Sequence, residues 1–86
     1  MNQFEKMKIV KKFLDKIRMP GVCGFLVLPH DVDIQVVIQI DLEWMKRAQT
    51  RPDLISNGMR NWLKKELQDY LGFPIHIGST GIEKCS

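Results

Sequence analysis

Val32-Asp33-Ile34-Gln35-Val36-Val37-Ile38-Gln39-Ile40-Asp41-Leu42-Glu43 is the stretch that decides the fold. Val32, Ile34, Val36, Ile38, Ile40 and Leu42 alternate with residues that, Val37 aside, are all polar. Period two over this length predicts a strand with one buried and one wet face. Just upstream, residues 22–28 (Val-Cys-Gly-Phe-Leu-Val-Leu) form a short apolar run between Pro20-Gly21 and Pro29. They predict a second strand. Pro29-His30-Asp31 has turn chemistry, so the two runs should pair as an antiparallel hairpin.

The flanks read as helices. Over residues 3–18, Phe4, Met7, Val10, Leu14 and Ile17 recur at steps of three and four, with lysines on the remaining faces. Pro20-Gly21 ends that helix. A second helix should start at Thr50-Arg51-Pro52-Asp53, where Thr50 can cap and Pro52 suits the first turn. It should run to about Leu71, with Ile55, Met59, Trp62, Leu63, Leu67 and Tyr70 on one face, and stop at Gly72. Residues 44–50 leave the sheet without an assigned element. Ile75-His76-Ile77 predicts a short third strand, and a helix between two strands of one sheet makes them parallel.

The expected fold is α+β. It is one two-layer sandwich, α-β-β-α-β, with a three-stranded mixed sheet and two helices on one face. Eighty-six residues allow a single domain, 1–86, with an ordered core of about 3–78 and a tail at 79–86. Core candidates are Val10, Leu14, Ile17, Leu26, Ile34, Val36, Ile38, Ile40, Met59, Leu63 and Leu67.

The net charge of +3 conceals a division. Residues 3–18 carry six basic and two acidic side chains, residues 19–43 carry four acids and no base, and residues 44–72 carry six basic and three acidic side chains. A Lys/Arg-rich helical layer is the footprint of a polyanion partner. The acidic strands lack the aromatic and basic residues on which RNA bases stack. Contact with nucleic acid therefore falls to Arg60, Lys64 and Lys65, joined by Lys11 and Lys12. An ordinary solvated helix face is the plainer alternative.

The element order resembles the type II KH-like fold, and within it the ribosome-binding factor A family. The residues that carry the resemblance are Ser56-Asn57-Gly58, followed by the basic amphipathic run 59–67 and the closing strand 73–77. In that family a small-residue-x-Gly step interrupts the second helix. Ser56 stands where the family has Ala. The resemblance implies RNA or ribosome contact at Asn57, Gly58 and Arg60 and along Lys64-Lys65. The Gly-x-x-Gly at Gly78-Ser79-Thr80-Gly81 follows a strand and does not match the loop between helices of most KH domains.

Catalytic chemistry finds little support. Cys23 and His30 sit at opposite ends of one strand, about 23 Å apart, and cannot share a zinc ion. Asp31-Val32-Asp33 lacks the third carboxylate and the Gly-Ser phosphate anchor of a nucleotidyl transferase. No hydroxyl lies in a nucleophile motif. The expectation is a non-enzymatic binding module with no cofactor, metal or small-molecule substrate, its partner RNA or a ribonucleoprotein. The alternative is a small interaction or assembly subunit, cellular or phage-encoded, that forms a homo-oligomer or docks through Trp44 and Met45. No run is apolar enough to span a membrane, and the first residues do not read as a signal, so the expected location is cytoplasmic. Cys23 reads as a free buried thiol and Cys85 as exposed, with a Cys23–Cys85 disulfide as the other option.

Overall fold

A computed structural model of the chain describes residues 2–49, 52–72 and 74–83, the side chains of 52–56 excepted. The elements are α1 (Gln3–Leu14), β1 (Val22–His30), β2 (Asp33–Asp41), α2 (Leu42–Arg47), α3 (Pro52–Leu71) and β3 (Ile75–Ile82). They form one mixed sheet in the order β1-β2-β3, with β1 antiparallel and β3 parallel to the central β2. α1 packs over β1 and β2, and α3 over β2 and β3. The expected α+β class and strand pairing are therefore present, with one further short helix.

β2 shows why the alternating stretch decides the fold. Ile34, Val36, Ile38 and Ile40 are buried, while Asp33, Gln35, Val37, Gln39 and Asp41 are part-exposed on the open face. The alternation overran at both ends. Val32 is 77% exposed because it lies in the two-residue hairpin loop, where Asp31 takes a left-handed φ of 52°. Leu42 belongs to α2. The Asp41 carboxylate accepts a hydrogen bond from the Trp44 amide at 3.0 Å and starts that helix. Asp41→Ala should cost about 1 kcal/mol of stability, read as a lower urea midpoint at unchanged slope.

α1 ends at Leu14 instead of residue 18. The Arg18 guanidinium donates to the carbonyls of Asp15 (2.8 Å) and Ile17 (3.1 Å), serving groups that the helix no longer satisfies. At the other end, the Asn2 side chain caps the Glu5 amide at 2.8 Å. α3 is helical without a break through Ser56-Asn57-Gly58, so the expected interruption is not present. The expected cap Thr50 lies outside the described residues, as do Arg51 and Phe73.

β1 runs through Pro29-His30, where the residue types predict a turn. β3 continues through Gly78-Ser79-Thr80-Gly81, which corrects the tail expected from residue 79. Its parallel register with β2 extends to Asp41↔Ile82, so these backbone groups have a ladder to join. Gly81 also leaves room for Leu42, whose side chain would lie 2.8 Å from an added Cβ.

The core comprises Val10, Leu14, Val27, Ile34, Val36, Ile38, Ile40, Met45, Leu63, Leu67 and Ile75. Leu26 is corrected: it pairs with Val37 on the open face and is 42% exposed, while Phe25 and Val27 face the helices. Trp62, placed on the apolar stripe of α3, is 44% exposed. Met59 and Ile17 pack against the core only in part. Cys23 is disulfide-bonded, which corrects the free-thiol reading. The other cysteine, Cys85, lies outside the described residues. Disulfides persist in oxidising compartments and are rare in the cytosol, so the bonded Cys23 does not favour the expected cytoplasmic address. The native chain should take up no iodoacetamide until it is reduced, as intact-mass measurement would show. No helix among the described residues is long and apolar enough to cross a membrane.

Candidate nucleic-acid interface

Asn57, Arg60, Asn61 and Lys64 are spaced i, i+3, i+4 and i+7 on α3, so they form one stripe. The core residues Leu63 and Leu67 turn the adjacent face of the helix onto the sheet. The stripe is thereby brought beside β3, an edge strand of the sheet. Together with Ile75-His76-Ile77 it lines a groove of about 390 Å³. The Arg60 guanidinium donates to Asn57 Oδ1, which joins two members of the stripe. Lys64 and Asn61 are exposed, and Arg60 is half-buried.

Of the residues expected to touch nucleic acid, Asn57, Arg60 and Lys64 therefore share one groove. Gly58 does not line it and faces open space, with no atom within 4 Å of an added Cβ. Lys65 follows Lys64 by one residue, a turn of about 100° away from the groove. Lys11 lines a different groove, between α1 and β1. Lys12 is exposed on α1. No ion pair ties Lys11, Lys12, Arg60, Lys64 or Lys65 to a carboxylate of the described residues. Sequence reasoning missed Asn61 and the β3 edge, although the spacing of Asn61 from Asn57 is visible in the sequence.

The expected apolar patch of Trp44 and Met45 is not formed. Met45 is 1% exposed and part of the core, and Trp44 packs against that core beside Gly21. On the open sheet face, His76 Nε2 lies 3.5 Å from Asp33 Oδ2, and the His30 and His76 rings meet at 4.3 Å between centroids. Among the described residues, no group of three or more His, Cys, Asp or Glu side chains is placed to hold a metal ion. No family model, curated protein or solved structure matches this chain.

Proposed function

We propose that the chain is a non-enzymatic module that binds RNA, alone or within a ribonucleoprotein, in the groove between α3 and β3. The observation that carries this reading is the convergence of Asn57, Arg60, Asn61 and Lys64 beside a strand edge. Two cations and two amides suit a phosphate backbone and the edges of unpaired bases. The edge of β3 supplies further donors and acceptors. The two cations are not spent on carboxylates of the described residues. The resemblance of this stretch to the ribosome-binding factor A family implies contact at three of these residues, Asn57, Arg60 and Lys64. Binding through the helical side also agrees with the lack of any Lys or Arg in residues 19–43, which build the open face of β1 and β2.

The test is fluorescence anisotropy with a labelled single-stranded RNA over a salt series. Affinity should fall as salt rises. Arg60→Glu with Lys64→Glu should weaken binding at least about tenfold, and should flatten the log–log salt slope by about 0.7 for each phosphate no longer neutralised. Lys12→Glu should change little. Unchanged affinity and slope in the double variant would remove this reading. A second reading, a protein-interaction subunit, is favoured by the groove on the opposite edge of the sheet.

A further inference from the structure

A second groove, of about 470 Å³, separates the C-terminal half of α1 from β1 at the other edge of the sheet. Its floor is apolar, with Leu14, Ile17, Val22 and Val27. It is also lined by Lys11 on α1 and by Arg18 in the segment that follows the helix, with one acid, Asp15, between them.

The hairpin geometry gives this edge its backbone chemistry. His30 and Asp33 close a two-residue loop and form a hydrogen-bonded pair, and such pairs recur at every second position. Gly24, Leu26 and Leu28 therefore bond toward β2. The 2.9 Å bond from the Asp41 amide to the Gly21 carbonyl continues the pattern across the bulge between Val22 and Gly24. Phe25, Val27 and Pro29 then turn their backbone groups outward. Pro29, which has no N–H, occupies a position where the sheet needs none. Between the bulge and Pro29, the amides and carbonyls of Phe25 and Val27 lie along the groove.

We propose that this groove binds an extended acidic segment of a partner protein as an added strand beside β1. Outward main-chain groups beside an apolar groove are the elements of strand-addition recognition, in which the ladder provides affinity and the pocket selects a side chain. An aliphatic side chain of the partner enters between α1 and Val27. Flanking carboxylates meet Lys11 and Arg18. Residues 3–18 carry six basic and two acidic side chains, so a second copy docked edge to edge would bring two basic helices together. That charge selects an acidic partner over self-pairing.

The probe is a fluorescein-labelled synthetic peptide, Glu-Asp-Val-Ile-Val-Asp-Glu, titrated with the whole chain. It should bind saturably. A peptide with lysine at every acidic position should bind at least about tenfold more weakly, and proline at the central position should abolish binding. The amides of Phe25 and Val27 should gain hydrogen-exchange protection on binding. Lys11→Glu with Arg18→Glu should weaken the acidic peptide about tenfold, whereas Arg60→Glu with Lys64→Glu, which tests the RNA groove, should leave it unchanged. Three results would overturn the proposal: no saturable binding, equal binding of the lysine peptide, or protection arising elsewhere. So would a dimer in which Phe25 and Val27 are already protected without peptide.

Discussion

Gly21→Ala is expected to cost about 2–4 kcal/mol of folding stability, from two separate sources. Gly21 holds φ at +81°, a left-handed conformation that costs an L-residue about 1–2 kcal/mol. An added Cβ would also lie 2.6 Å from Trp44 Cε3 and 2.8 Å from Met45 Cε. The Met45 terminus can swing aside. The Trp44 ring is rigid and packs against the core, so the backbone must yield. Gly72 separates the two sources. Its φ is +73°, but nothing lies within 4 Å of its Cβ position, so Gly72→Ala should cost only the conformational part, about 1 kcal/mol. Urea unfolding of both variants measures the difference. Equal destabilisation would mean that Trp44 does not sit on Gly21. Trp44→Leu in the Gly21→Ala background should recover part of the stability, with a coupling of about 1 kcal/mol.

Ile38→Ala should cost about 2–5 kcal/mol, a large share of the roughly 4–13 kcal/mol expected for a chain of this length. Ile38 is fully buried at the middle of the central strand, with Phe25 and Ser79 as its register partners on either side. Strands on both sides restrict collapse around the missing side chain, which keeps the cavity open. Val37→Ala, one residue away on the open face, should cost under about 1 kcal/mol. Equilibrium unfolding of the pair tests the facing of β2. Similar destabilisation by the two would contradict the two-layer arrangement.

The two variants mark different levels of legibility. Ile38 could be assigned from the sequence because the period of a strand is set by backbone geometry, and the alternating Ile34, Val36, Ile38 and Ile40 report it directly. Gly21 could be placed at a stop between elements, but its contact with Trp44 could not. That contact depends on α2, a helix announced only by Asp41 and by an interval of three residues to the amide that it caps. The strand pattern ran over that signal because Leu42 continues the alternation by coincidence. Leu26 failed for a related reason. Residues 22–28 are apolar on both faces, so periodicity could not choose between Leu26 and Val27, and only the register with β2 did so.

The candidate site divides in the same way. Its cations were visible as a charge imbalance between helices and strands. Which of them act together was not, because charge along a chain does not say which helix face meets a sheet edge. Leu63 and Leu67 settle that for Arg60 and Lys64, whereas Lys11 lines a groove at the other edge of the sheet.

The sequence by itself determined the α+β class, the hairpin, the parallel closing strand and the basic helical layer. These follow from local periodicity, turn residues and charge, all of which are written in neighbouring positions. The tertiary structure alone decided that Trp44 and Met45 turn inward, that Gly78-Ser79-Thr80-Gly81 is strand, and that the helices leave two grooves of different chemistry. Each of these depends on a contact between residues far apart in the chain. Burial, ladder pairing and the joining of a helix face to a strand edge are properties of the packed chain, and no window of sequence contains both partners.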